Sequence, residues 1–382
     1  MSDRSINRES GFSLLEMIIA MALGTIVLGA AVQIYIQGVS ATWKVTQRSE
    51  MQQDFRAAAN MLTKDLSLAG AGLGNGAAIA LPSGVTPVYG CDQSGACYII
   101  SVANPGGSVQ YPKQGGTPYL YGLLPGYNVG PTLPSQPTPT DAVTVVYTDT
   151  AFYLNCYTAT VTAKGVVTFA PAVTTPATPW PTPGCLPTGV STPQAVNDTV
   201  VGLTPGDLVL MTLNGTQIVG EVTGAVTSLG SNSYSVPFAN ADALHMNQTS
   251  GAKYLNSVGQ NATGTSPVRI LVVSYYIDNS PNPPRLMRQV SGHTPMPVTE
   301  NVVYLKFSYD LFNSTTNTPT VNQTDGGVAA GLLPNQITKI NILNMAMDSS
   351  MKGAQGGYQS VNLQTSVSAR NLTYNNSYPQ GP

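Results

Sequence analysis

A single acid, Glu16, interrupts an otherwise apolar N-terminal run that reaches Ile36. An isolated carboxylate in such a run costs roughly 2.5–3.5 kcal/mol on insertion scales, so it needs a partner or a purpose. Four residues earlier stands Phe12, preceded by Gly11. A cut after Gly11 would leave a free α-amine on Phe12. An ammonium and a carboxylate attract strongly in low dielectric, and each relieves the other's burial. The chemistry this spacing offers is charge pairing.

The second reactive set is Cys91, Cys97, Cys156 and Cys185. An even count in a chain exported across a membrane favours disulfides, with three pairings open. Cys91–Cys97 and Cys156–Cys185 each close a local loop and are the favoured pairs. Metal binding is the alternative; it lacks Cys-x-x-Cys spacing, and His245 and His293 lie far from every cysteine in sequence. No metal or other cofactor is expected.

Other motifs are weaker. The chain has no Gly-x-Ser-x-Gly, phosphate-binding P-loop or His-Glu-x-x-His. Two histidines and carboxylates isolated in sequence give acid–base chemistry little material, so no enzyme is expected. Gly70-Ala71-Gly72-Leu73-Gly74 follows a helical pattern instead of opening one, which reads as helix termination and not as a dinucleotide loop. Asp325-Gly326-Gly327 reads as a turn, and Arg285 and Arg288 as solvated strand ends. The Asn-x-Ser/Thr triplets at Asn214, Asn247 and Asn371 are what chance gives in so Asn- and Thr-rich a chain.

The elements that position these residues follow from composition and period. Charged residues are 9% of the chain, and 12 of the 34 fall in residues 1–66, so the remaining body is nearly uncharged. With a net charge of −2 there is no basic field for nucleic acid or anionic lipid. The run from Phe12 to Ile36 is about 25 residues, roughly 37 Å as a helix, and a hydrocarbon core is about 30 Å thick. Beyond it Met51, Phe55, Ala58, Leu62, Leu66 and Ala69 recur at helical steps. Arg48, Glu50, Asp54, Arg56, Lys64 and Asp65 fall largely on other faces. One helix is expected from 12 to about 69, closed by Gly70, Gly72, Gly74 and Gly76.

Residues 77–140 hold ten prolines and read as loop, with a strand only at Tyr98–Val102. Strands are expected at Ala142–Tyr147, Thr158–Thr162, Val166–Phe169, Val268–Ile277, Leu286–Val290, Val302–Tyr309, Ile337–Leu343 and near Val361–Val367. Asp207–Leu213 and Thr216–Val222 flank Asn214-Gly215, the signature of a type I′ hairpin turn. Residues 171–193 read as an extended Pro-Thr loop fastened at Cys185. The fold class expected is α+β, a long N-terminal helix on an antiparallel β-rich head.

Gly11-Phe12-Ser13-Leu14-Leu15-Glu16 resembles the class III signal of type IV prepilins. The resemblance implies cleavage between Gly11 and Phe12 by a prepilin peptidase, N-methylation of Phe12, and a filament salt bridge made by Glu16. Methylation keeps the amine's charge, so the pairing survives it. In that family the membrane half of the helix locally unwinds in the filament, which Gly24 and Gly29 would ease. A secretory signal peptide would have a shorter apolar region, although Gly38-Val39-Ser40-Ala41 could serve as its cut.

Further on, the chain is similar to PilW-type minor pilins. The matching segments are Met51–Arg56, Leu62–Leu66 with Ala69-Gly70, Gly206-Asp207-Leu208-Val209-Leu210, Tyr275-Tyr276-Ile277 leading to Leu286-Met287-Arg288, and Glu300–Tyr309. The resemblance implies a low-copy subunit that helps start the pilus and sits at or near its tip. Its expected partners are the prepilin peptidase, other major and minor pilins, the inner-membrane assembly platform and, before assembly, membrane lipid. The head would be periplasmic before assembly and on the cell surface after it. A minor pseudopilin of type II secretion is the alternative, and a pilus-displayed adhesin or binding module the second. The expected divisions are a leader at 1–11, the helix at 12–70, a Pro/Gly/Thr-rich head region at 71–200, a β-rich region at 201–350 and a polar tail at 351–382.

Overall fold

The computed structural model describes residues 12–74, 77–99, 107–133, 136–171, 180–181, 184–240, 242–247, 255, 263–280, 282–313, 316–352 and 358–372. The chain divides into two compact units, residues 1–53 with 349–359 and residues 54–348 with 360–382. One helix, α1 (Leu14–Ser67), runs for 54 residues through both. Its first half is rich in Leu, Ile, Met and Ala, and its large apolar side chains, Leu14 at 77% and Ile26 at 69% among them, are exposed, as is Phe12 just before it.

In the second unit α1 is a core element. Phe55, Ala58, Leu62 and Leu66, with Ala69 just past the helix, form a buried stripe at three- and four-residue steps. Gly70 and Gly72 then take positive φ angles, +78° and +72°. A Cβ on Gly72 would stand 1.9 Å from Thr148 Oγ1, so only glycine lets the chain pass there. Gly76 lies outside the described residues.

The region expected to be loop before residue 140 carries six short strands. These are β1 (Ala78–Ala80), β2 (Val88–Tyr89), β3 (Val109–Gln110), β4 (Lys113–Gln114), β5 (Thr117–Tyr121) and β6 (Leu123–Gly126). Each has two to five residues, too few for a period to show between prolines and glycines. Tyr98 and Ile99 are in no strand, and residues 100–102 of that expected strand lie outside the described residues.

The main sheet has eleven strands. It is built from β6, β7 (Ala142–Thr148), β8 (Tyr157–Ala163), β9 (Val166–Pro171), β10 (Leu208–Leu213), β11 (Thr216–Glu221), β12 (Thr227–Gly230), β13 (Ser233–Pro237), β14 (Thr263–Asp278), β15 (Arg285–Val290) and β16 (Met296–Glu300). All its pairings are antiparallel, and the 16-residue β14 is the hub: it pairs with β10, β15, β7 and β8. Its run Ile270–Ile277 is Val-, Ile- and Tyr-rich and largely buried, as a strand covered on both faces must be. Asn214 and Gly215 both have positive φ, +46° and +76°, between β10 and β11. Ser231 and Asn232 do the same, +49° and +56°, between β12 and β13.

A second sheet has the order β18 (Thr318–Gln323), β17 (Val302–Asn313), β19 (Ile337–Lys352), β20 (Tyr358–Ser368). Leu305, Phe307, Tyr309 and Leu311 alternate into the core. Lys306, on the opposite face, donates to Asp141 Oδ1 at 2.8 Å and so joins this sheet to the start of β7. The long N-terminal helix and the antiparallel β-rich head are the α+β architecture expected from the sequence.

Candidate functional site

The N-terminus of α1 is built by four residues. Ser13 Oγ accepts from Leu15 N at 3.3 Å, and Glu16 Oε2 accepts from Ser13 N at 3.1 Å. Glu16 thus forms its half of a Ser-x-x-Glu capping box, while Ser13 takes the N–H two residues on instead of three, and together they engage two N–H groups at the helix start. The spacing was present in the sequence as Ser13 and Glu16, and the capping-box pattern would have revealed it. The cap folds the Glu16 carboxylate back toward Phe12, one peptide away from the N–H it already engages. An amine created on Phe12 would therefore meet a carboxylate facing its way. Gly11 lies outside the described residues.

The first half of α1 has an 18-residue window of mean hydropathy 2.2 with none of it buried. Two of its hydroxyls are satisfied within the helix: Thr25 Oγ1 donates to Ala22 O and Thr42 Oγ1 to Gly38 O, both at 2.9 Å. A helix with its backbone and threonine hydroxyls bonded internally and its apolar side chains outward is suited to lipid or to neighbouring helices.

Asp65 stands in contrast. The sequence pattern sets it off the apolar stripe, yet it is buried and accepts from Tyr275 Oη at 2.7 Å, Tyr147 Oη at 3.2 Å and Arg288 Nε at 2.8 Å. Burial, with the Asp65 charge adding, pushes the Tyr147 phenol up to about 12. The same causes raise Tyr275 further. Arg288 is thus a partly buried tie between α1 and β15, where the sequence suggested a solvated strand end. Arg285 pairs with Glu300 at 2.9 Å.

Two further clusters bring together acids that are isolated in sequence. Asp207 accepts from Thr204 N at 2.8 Å, faces His293 Nε2 at 3.0 Å, and lies 3.6 Å from Arg269, which also pairs with Asp149. Glu221 and Asp242 are buried and hydrogen-bonded to each other. Asn247 donates to Glu221 O at 2.7 Å and accepts from Glu221 N at 2.9 Å. Burial, with Asp242 adding, pushes the Glu221 carboxyl up to about 8, against the opposing hydrogen bond from Leu244 N. The other histidine, His245, has Nδ1 3.0 Å from Thr86 O. Asp325 accepts from Gly327 N and Ala329 N and shapes a turn.

Cys91–Cys97 and Cys156–Cys185 are disulfide-bonded. The second fastens the Pro-rich loop to η-turn residues 154–156, where Trp180 Nε1 donates to Cys156 O at 3.1 Å and Asn155 Nδ2 to Cys185 O at 3.0 Å. A groove of about 630 Å³ between α1 and β20 is lined by Asn60, Thr63, Ser67, Thr365, Ser368 and Arg370 among others. Its lining has no carboxylate, histidine or cysteine.

Residues 6–32 match the family model of the prokaryotic N-terminal methylation motif. That supports a type IV prepilin-like protein. The match spans Gly11, Phe12 and Glu16, and the family it defines is structural rather than catalytic. It implies processing by a prepilin peptidase and assembly with other pilins, and it accords with membrane anchoring through α1 before assembly. No curated protein and no solved structure matches the chain.

Proposed function

We propose that the chain is a minor type IV pilin of the PilW kind, cut after Gly11, methylated on Phe12 and incorporated at or near the pilus tip to help start assembly. The carrying observation is the capped Phe12–Glu16 start on a helix whose first half is apolar and exposed. Before assembly the first half of α1 is lipid's, with the head in the periplasm. In the filament, neighbouring pilins and the Phe12 amine of an adjacent subunit replace lipid around Glu16. The PilW resemblance at Gly206–Leu210, Tyr275–Arg288 and Glu300–Tyr309 supports the minor-pilin assignment; these segments lie in β10, β14, β15 and β17. A chain of 39.8 kDa makes a bulky head for a repeating shaft subunit, which favours low copy number.

Deleting the gene and counting surface pili tests this. Loss of pili, with the chain found in trace amounts in sheared pili of the complemented strain, is the expected result. Intact pili with lost protein secretion would assign it to a type II secretion filament. Intact pili with lost attachment would assign it as a displayed adhesin.

A further inference from the structure

The uncharged part of α1 does not stop at Ile36. From Met17 to Trp43 there are 27 residues without a charge, and the first cation after Glu16 is Lys44, directly beside Trp43. Tyr35 and Trp43 are 73% and 61% exposed. With Ile36, Val39, Ser40 and Lys44 they line a shallow groove of about 390 Å³ along the helix. The order is therefore apolar run, tyrosine, tryptophan, lysine. Amphipathic rings followed by a cation suit the boundary between hydrocarbon and headgroups, where a ring can be half wet and a lysine stem can lie on apolar surface.

Length agrees. Phe12 to Trp43 is 31 rises of 1.5 Å, about 46 Å, and about 44 Å at a tilt of 20°. A bilayer with its headgroup layers is about 40–45 Å thick. A terminal amine held among the headgroups of one leaflet puts Trp43 among those of the other. Tyr35, eight residues earlier, stands about 12 Å deeper, at the edge of the hydrocarbon.

We infer that Tyr35, Trp43 and Lys44 form an interfacial belt that seats α1 in the outer leaflet of the membrane before assembly, its ligand being the glycerol and headgroup region of phospholipid. The inference rests on the membrane-anchored reading of α1 and adds to it the depth at which the helix leaves the bilayer. Arg48 and Glu50, the next charges, then stand in water.

The chain has two tryptophans, Trp43 and Trp180, so Trp180→Phe leaves a single reporter. The full-length protein would be reconstituted in phosphatidylethanolamine–phosphatidylglycerol vesicles, separated by flotation, and its fluorescence read with lipids brominated near the headgroup or near the chain end. Expected is blue-shifted emission quenched at least about twofold more by the shallow bromines. Trp43→Phe in the otherwise native chain should abolish that difference, which guards against misfolding caused by the Trp180 change. Tyr35→Trp, with Trp43 and Trp180 both replaced by Phe, should reduce the excess of shallow over deep quenching without reversing it.

Water-like, unquenched emission from protein that floats with the vesicles overturns the belt while leaving the anchor intact. Stronger deep quenching of Trp43 overturns it too, by placing Trp43 in hydrocarbon. Blue emission that no bromine quenches and that fades on dilution into more lipid would mean a second helix covers Trp43, and also overturns it. Failure to float overturns the anchor and the belt together.

Discussion

Two acids on one helix divide the molecule. Asp65 is buried in the head and holds three side-chain donors from β7, β14 and β15. Glu16 sits where every neighbouring side chain is exposed, and among the described residues it accepts only from Ser13 N. A carboxylate whose lone pairs are filled from within its own fold is there to fasten that fold. One that keeps most of its capacity open, on an exposed apolar surface, has room for a further partner. The same residue chemistry thus serves architecture at one end of α1 and, in the function proposed above, assembly at the other.

Exchanging the two roles should fail in opposite ways. In the proposed function, Glu16→Ala would remove one partner of an ion pair buried in the filament, a loss of about 3–5 kcal/mol. Recovery in sheared pili should fall at least about a hundredfold, while the melting temperature of the head stays unchanged. Immunoblots of pili against whole membranes read the first, and calorimetry the second. Normal recovery in pili would erase the distinction between the two acids. Asp65→Ala should do the reverse, leaving membrane insertion intact and lowering head stability by about 3 kcal/mol, because Arg288, Tyr147 and Tyr275 lose their common acceptor. Denaturant unfolding of the head with and without the change reads that loss.

The head's other fastenings should rank beside that. Opening Cys156–Cys185, which closes a 29-residue separation, should cost about 3.6 kcal/mol by chain entropy, and opening Cys91–Cys97, with a separation of 6, about 2 kcal/mol. Serine substitutions compared in the same unfolding assay give the order. An equal cost for both would argue against a loop-length origin.

A pH dependence is also expected in the head. Glu221 titrates at about 8 when folded, against 4.5 as its ordinary value. The folded state therefore holds the extra proton across that window. Its contribution is full below about 4.5, shrinks as pH rises and is gone above about 8. Glu221→Gln should flatten the fall in melting temperature between those limits and leave vesicle binding by α1 unaltered at every pH. An identical slope in the variant would remove Glu221 as the source. Asp207 and His293, near the adjoining Gly206–Gly292 contact, remain in both proteins and cancel in the comparison.

The same contrast explains how much was legible from sequence. The first half of α1 and its Glu16 are local features: one apolar run, one acid and one motif within 27 matched residues. Strands such as Ala142–Thr148 and Val302–Asn313 were legible for the same reason, since period-2 patterning and β-branched residues declare themselves within a few positions. Asp65 was misjudged because its partners are 82, 210 and 223 residues away. It also sits within the buried stripe, three residues after Leu62, where a charge without a visible partner looks like surface. Glu221 and Asp242 were separated by a hairpin and a loop, so nothing in either neighbourhood announced the other. The strands before residue 126 were hidden by brevity, each too short to carry a pattern.

Mass spectrometry of the intact protein and its N-terminal peptide, taken from native membranes, tests the central claim most directly. A chain beginning at N-methyl-Phe12 is the expected result and would place the chain in the prepilin pathway through the residues that α1 presents. An uncut leader, or a terminus near Ala41, would contradict it, because Glu16 would then lack its amine or be lost with the helix start.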